Sequence, residues 1–424
     1  MVNYLCSYVT CNNEGVIEYH ENKVIEVDEQ GIIYSINPFD ERRYNEVIDL
    51  SKYLMIPSII DLHLHVSQLD IIGQGYDNIL DDWFSNILYP AELYYDRYPN
   101  FININRRFTN ELWRCGILLS SVFCSINVDS AIDLMNCFEE SGMSAYIGKM
   151  NADYPGFNKP RETIEESLAA TKKLINYGFK LSNRVQPAIT PEFVPSCTEE
   201  LLISLGNLAN EYDLVVQTHF AEGEFDYKMV RERFGDRSYA DIYREYGLIR
   251  PNKTLLVHGV SSTDEDLKIM VENNIKLVHC PTALSDNPSD QNIRIDRFIE
   301  HGIDIGYGSD IGGSGTINPF QNMIAMLRYS NIVGVENNGS NLTIWDCFRI
   351  MTKENGSFFG QYGVIEPGYS FSVLLIDDSR LQKHCVKKGK DRLLRFIYSG
   401  TNDQLRYRFH NGKELRIPFP EYDK

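Results

Sequence analysis

Residue pattern alone predicts an α/β protein: a (β/α)8, TIM-like barrel carrying a small β-sandwich domain formed by the two ends of the chain. Three observations point there. Eight short apolar runs, alternating with segments of helical periodicity, fill the middle of the chain over roughly 250 residues, the length such a barrel needs. The two ends read differently, as short strands broken by turn residues. Finally, side chains able to bind metal or move protons gather where the apolar runs stop, the rim from which barrel enzymes work.

In chain order, the N-terminal segment offers strands at Val16–Glu18, Lys23–Val27, Ile32–Ile36 and Glu46–Leu50, parted by turns such as Asp28-Glu29-Gln30-Gly31. The eight runs follow: Leu54–Asp61, Ile117–Cys124, Ser144–Met150, Val185–Thr190, Leu214–Thr218, Leu255–Val257, Lys276–Cys280 and Asp304–Tyr307. Helices are expected between them at Glu162–Asn176, Glu199–Glu211 and Asp264–Asn273. The last opens on Thr263-x-x-Asp266, close to a capping box, with Leu267, Met270 and Val271 on one face. Beyond the barrel, Ser372–Ile376 is an apolar strand, and Arg406–Phe409 leads into Asn411-Gly412, a two-residue hairpin signal. The expected division is 1–57 with 363–424 as the β-domain and 58–362 as the barrel. A doubly wound sheet competes, but its Gly-rich loop after the first strand is missing.

Composition removes several classes of function. Among 424 residues, 59 acidic against 41 basic side chains leave a net charge of −18. That balance argues against nucleic acid and anionic membrane surfaces as partners. No stretch reaches the ~18–20 apolar residues of a membrane span, and Met1–Asn12 lacks the pattern of a signal peptide. Nine scattered cysteines, odd in number and never spaced Cys-x-x-Cys, read as reduced thiols of a cytoplasmic protein.

The chemistry lies at the ends of the runs. The first stops at Asp61-Leu62-His63-Leu64-His65; residues two apart on a strand face the same side, so both imidazoles can meet one ion. The fifth ends in Thr218-His219-Phe220-Ala221-Glu222, the sixth in His258-Gly259, the eighth in Gly308-Ser309-Asp310. Of nine histidines, four stand at such ends and His279 lies at or near a fifth. Three imidazoles and a carboxylate suit a borderline divalent ion, zinc foremost with Fe2+ the other candidate, leaving a position for water. Glu222, beside but not in that set, is the natural proton shuttle. Blander readings stand beside these: His258 as a hydrogen-bonded core histidine, Asp310 as a helix cap, His279 as structural. Tyr94, Tyr95 and Tyr98 read as packing or loop residues, and Glu162, Glu165 and Glu166 as a solvated helix start.

The stretch Ile56-Pro57-Ser58-Ile59-Ile60-Asp61-Leu62-His63-Leu64-His65 resembles the first metal motif of the amidohydrolase superfamily, and the order His-x-His, His-x-x-Glu, His-Gly, Ser-Asp that of its metal-dependent deaminase branch. Within that branch the chain is similar to the guanine deaminase family through His65-Val66-Ser67-Gln68, Leu80-Asp81-Asp82-Trp83 and Tyr89-Pro90-Ala91-Glu92. Gly148-Lys149-Met150-Asn151, Phe193-Val194-Pro195-Ser196-Cys197, His279-Cys280-Pro281-Thr282 and Gly306-Tyr307-Gly308-Ser309-Asp310 also resemble it. The resemblance implies metal ligands His63, His65, His219 and Asp310, with Glu222 as shuttle, His258 as second catalytic group and Asp310 also taking a proton from water. It implies substrate contacts at Gln68, Trp83 and Phe193, hydrolysis of guanine to xanthine and ammonia, and a homodimer.

Two positions depart from the family pattern. Thr190-Pro191-Glu192-Phe193 carries Glu192 where the family usually has arginine, and Cys280-Pro281-Thr282 continues Ala283-Leu284 in place of Ser-Asn. A carboxylate accepts hydrogen bonds where a guanidinium donates them. Glu192 therefore joins the expected substrate contacts, and alternatives stay open: deamination of a pterin, cytosine or aminotriazine, cleavage of a cyclic amide or carbon–halogen bond, or a binding protein that has lost turnover. Glu192 also raises the idea of a carboxylate bridging a second metal.

Overall fold

The computed structural model describes residues 1–44, 46–78, 80–155, 161–286, 293–337, 339, 341–381 and 389–420; Cys385 lies outside them. Eight parallel strands occupy the middle: β5 (Ile59–His65), β6 (Ile117–Cys124), β7 (Ser144–Asn151), β8 (Val185–Pro191), β9 (Val215–Phe220), β10 (Thr254–His258), β11 (Lys276–His279) and β12 (Asp304–Tyr307). Each pairs with the next in sequence. The strands are almost wholly buried and mostly apolar because both faces are covered, by helices outside and by packed side chains inside.

The barrel's seam, between β12 and β5, is sutured by side chains and loop backbone. Asn355 donates from Nδ2 to the carbonyls of Ile60 (2.7 Å) and Tyr307 (2.9 Å), and its Oδ1 accepts from the Tyr307 N–H at 3.0 Å. Just past β12 the Asp310 N–H donates to the His63 carbonyl at 2.8 Å. Gly308 permits this approach: a Cβ there would lie 2.6 Å from the His63 Cβ.

The two chain ends meet as expected. Strands β1 (Val2–Cys11), β2 (Ile17–Val27), β3 (Ile33–Pro38), β4 (Ile48–Pro57), β13 (Val373–Ile376), β14 (Leu405–His410) and β15 (Lys413–Glu414) form one mixed sheet, ordered β15-β14-β13-β4-β1-β2-β3. The β-sandwich thus takes the form of one continuous sheet with two apolar faces. Leu54, Ile56, Leu374 and Ile376 belong to the main core, whereas Met55, Val373 and Leu375, one residue away, join Tyr4, Cys6, Tyr8 and Phe409 in a separate cluster. Asn411 and Gly412 both have positive φ, 49° and 74°, as a two-residue hairpin requires.

Three readings are corrected. The run Leu54–Asp61 holds the end of β4 and the start of β5, a sheet strand and a barrel strand divided at Ser58; continuous hydrophobicity hid the boundary. The predicted strands at Val16–Glu18 and Lys23–Val27 are one strand, β2, and β1 precedes it. In the helix opened by the Thr263–Asp266 capping box, Leu267 and Met270 are buried but Val271 is 42% exposed, and Ile269 takes its place in the core. Among the described residues no helix is long and apolar enough to cross a membrane.

Candidate active site

The C-terminal ends of β5, β9 and β10 and the segment after β12 bring five of the predicted polar side chains together. Nε2 of His65 lies 3.2 Å from Nε2 of His63 and 3.2 Å from Nε2 of His219. One oxygen of Asp310, Oδ1, sits 3.2 Å from His63 Nε2 and 3.5 Å from His65 Nε2. His258 and Glu222 stand beside this set: His258 Nε2 is 3.8 Å from Glu222 Oε1 and 4.0 Å from Asp310 Oδ2.

The spacing fits a metal ion. A tetrahedron with bonds of about 2.0–2.1 Å, the usual length to imidazole nitrogen or carboxylate oxygen, has edges of about 3.3–3.4 Å. The separations among His63, His65 and Asp310, and that from His65 to His219, are 3.2–3.5 Å and match that edge. Burial holds the His63 imidazole neutral, lowering its pKa to about 3, so it offers a lone pair rather than a charge. His219 donates from Nδ1 to the Glu192 carbonyl at 2.9 Å, which places its proton on Nδ1 and leaves Nε2 for a ligand bond. Three groups able to hold an ion emerge among the described residues: His63, His65 and Asp310; His63, His219 and His258; and His258, Cys280 and Asp310. Glu192 belongs to none of these groups.

Local backbone explains how the side chains converge. Ala221, His258 and Asp310 have positive φ of 45°, 79° and 52°; Asn, Asp and His tolerate it better than other side chains, so Ala221 is the most strained of the three. Such strain persists where surroundings enforce it. At His258 the following Gly259 N–H is held by the Phe220 carbonyl at 2.8 Å, and Ser261 N–H by the Ala221 carbonyl at 2.9 Å. At Glu222 the enforcer is Asp226, whose carboxylate accepts from the N–H groups of Glu222 (3.1 Å), Gly223 (3.0 Å) and Tyr227 (2.9 Å).

Several contributors escaped the sequence reading. Asp61 is fully buried under the site; its Oδ1 accepts from the N–H groups of His63 (3.1 Å) and Ser309 (3.0 Å), tying β5 to the strand end that carries Asp310. Burial pushes its carboxyl up to about 7. The signal was present, an acid inside an apolar run. Phe123, on β6, packs its ring 4.6, 5.2 and 4.9 Å from those of His63, His65 and His219; nothing in an apolar run distinguishes it. Cys280 is fully buried beside His258 and Asp310.

The expected substrate contacts lie around this floor. Gln68 is buried against the loop carrying Asp310: a Cβ on Gly312 would come within 2.1 Å of the Gln68 Cβ. Glu192 and Phe193 follow β8, both buried. Arg233 braces that loop by donating to the carbonyls of Val194, Pro195 and Cys197 at 2.9–3.1 Å. Trp83 stands further back, in a separate apolar cluster with Ile71, Leu88 and Tyr89, its Nε1 donating to the Gln74 carbonyl at 2.8 Å. From the same segment Tyr76 donates to the carbonyls of Gly312 (3.1 Å) and Ser314 (2.6 Å), linking it to the Asp310 loop. His279 is buried, with no hydrogen-bond partner for either ring nitrogen among the described residues. The predicted solvated helix start is only partly so: Glu162 pairs with buried Lys149 at 2.5 Å and Glu166 completes a capping box with Thr163.

An eight-stranded parallel barrel whose mouth holds a metal-competent histidine–carboxylate cluster with a glutamate beside it is the plan of a barrel hydrolase. The chain belongs to the amidohydrolase family, whose sequence profile matches residues 54–413. It is 27% identical to the guanine deaminase of Rattus norvegicus over 88% of this chain and 85% of that protein. Identity to the guanine deaminase of Dictyostelium discoideum is also 27%, over 97% and 94%. The crystal structure of guanine deaminase from C. acetobutylicum, with guanine bound in its active site, is 31% identical and superposes with a TM-score of 0.93, covering 98% of this chain and 100% of that one.

Proposed function

We propose that this chain is a zinc-dependent aminohydrolase that converts guanine to xanthine and ammonia. The observation that carries the reading is the convergence of His63, His65, His219 and Asp310 at ligand spacing, with Glu222 and His258 alongside. Likeness to a guanine deaminase over almost the full length supports the substrate.

His63, His65, His219 and Asp310 would hold the ion, which when bound supplies a hydroxide nucleophile near neutral pH. Asp310 accepts the proton released from the water. Glu222, partly exposed at the mouth, carries a proton first to a ring nitrogen and then to the departing amine, the work of a general acid–base. His258, kept neutral by burial with its pKa lowered to about 3, faces both Glu222 and Asp310 and stabilises the oxygen developing at the amino-bearing carbon. Gln68 hydrogen-bonds the purine, Phe193 stacks on it, and Trp83 fixes the segment that carries Gln68. Glu192, acceptor-only when ionised, meets N–H groups of the ring.

The test is direct: zinc-loaded protein given guanine releases equimolar ammonia and xanthine. Absence of turnover on guanine, with turnover of a pterin, cytosine or aminotriazine, would overturn the substrate and keep the chemistry. The domain division at 57/58 and 362/363 is part of this reading, supported by the separate cluster on the outer face of the small sheet. So is a cytoplasmic setting, supported by the eight described cysteines, all buried as thiols. A homodimer follows from the family resemblance and is read by sedimentation.

A further inference from the structure

The carboxylate of Asp310 faces two ways. Its Oδ1 lies among the imidazoles of His63 and His65. Its Oδ2 points the other way, 4.0 Å from His258 Nε2, next to Gly313, where an added Cβ would sit 3.2 Å from it. The Cys280 thiol lies close to both residues: one ligand atom each from His258, Cys280 and Asp310 lie within 4.8 Å of one another. All three residues are buried.

We propose that His258, Cys280 and Asp310 form a second metal position, adjoining the first across the Asp310 carboxylate, which takes a thiophilic divalent ion supplied in excess and inhibits the enzyme. This inference rests on the first-site reading for its neighbour, not for its own ligands. Nitrogen, sulfur and one carboxylate oxygen select soft or borderline ions over magnesium or calcium. The His258–Asp310 separation of 4.0 Å exceeds the first site's 3.2–3.5 Å, so these groups must draw inward to bind, and a second dication nearby adds repulsion. Both effects make this position the weaker one. On binding, the thiol loses its proton to solvent and a sulfur–metal bond forms, with no change of oxidation state. Inhibition follows because His258 and the second Asp310 oxygen are withdrawn from the reaction.

The experiment titrates full-length, singly zinc-loaded protein with cadmium, following thiolate-to-cadmium absorbance in the near ultraviolet, bound metal by dialysis, and ammonia release. The expected result is a second equivalent, bound more weakly, that brings the absorbance and lowers the rate about tenfold or more, both reversed by a mild chelator. Cadmium that merely replaces zinc among the first ligands brings no thiolate absorbance and overturns the proposal. Cys280→Ser, or Cys280→Ala should serine fail to fold, is expected to keep the first equivalent and lose the absorbance. The same absorbance in either variant assigns the thiolate elsewhere and also overturns it. Failure of the first equivalent to bind would instead fault the first-site reading, and the absorbance still reports on Cys280.

Discussion

The floor of the barrel mouth and its wall are built in different ways. The floor, His63, His65, His219, His258 and Asp310, stands on strand ends whose mutual positions are set by the parallel ladder and by the Asp61 and Asn355 sutures across the seam. The wall, with Gln68, Trp83, Glu192 and Phe193, stands on connecting segments held by a few side-chain-to-carbonyl bonds, those of Tyr76, Trp83 and Arg233. A ladder leaves little latitude, so the floor fits one chemistry, activation of water. Loops tolerate change, and one departure from the family pattern, Glu192, lies on the loop just past β8, whereas the other, Ala283-Leu284, lies on the short helix Pro281–Asp286 that follows β11. Changes to the floor should therefore abolish turnover, whereas changes to the wall should redirect or weaken it.

The largest effect is expected at Glu222, where floor and wall meet. Glu222→Gln keeps size and hydrogen bonding but cannot carry a proton; kcat should fall about 10²–10⁴-fold with metal content unchanged. Loss of the metal as well would make Glu222 part of the floor and erase the distinction. Next comes Glu192. Its backbone carbonyl positions His219, which any side chain preserves, so Glu192→Gln should leave metal binding intact and raise KM for guanine about tenfold, the worth of one charge-assisted hydrogen bond. An unchanged KM would remove Glu192 from the wall.

How much of each region could be read from residues alone follows the same division. Seven of the eight apolar runs mark barrel strands to within a residue or two because a strand buried on both faces is mostly apolar. His63 and His65 reveal their shared direction through the two-residue period of a strand. Leu54–Asp61 fails for the same reason that the others succeed: apolar character does not show which sheet a residue joins. Asp226 and Asp61 escaped because their work is to hold backbone N–H groups that only the folded chain brings near. Trp83 was recognised as a motif residue, but its distance from the floor is set by a loop path that carries no periodic signal.

A smaller effect concerns Asp226, the anchor of the Glu222 turn. Burial pushes its carboxyl up to about 7, against an ordinary value near 3.9. Between those values the folded chain keeps a proton that the unfolded chain has lost. Its contribution to stability therefore falls as pH rises through that window, by at most about 1.4 kcal/mol per pH unit, and levels off above about 7. Urea midpoints from about pH 5 to about pH 8 should show this slope in the wild type and a flatter one in Asp226→Asn; equal slopes would contradict it. Smallest is Trp83→Phe, which removes the Nε1 bond to Gln74 and should cost about 1 kcal/mol of stability with kcat unchanged. A drop in kcat as large as that of Glu222→Gln would place Trp83 in the floor.

The central claim, a single activating ion held by His63, His65, His219 and Asp310, is tested most directly by removing it. The purified chain is stripped with a chelator, then titrated with zinc while bound metal and ammonia release from guanine are measured together. Activity should vanish on stripping and return in proportion to the first equivalent, and His219→Ala should bind that equivalent at least ~10-fold more weakly. Full ammonia release from metal-free protein, or undiminished affinity in His219→Ala, would contradict it.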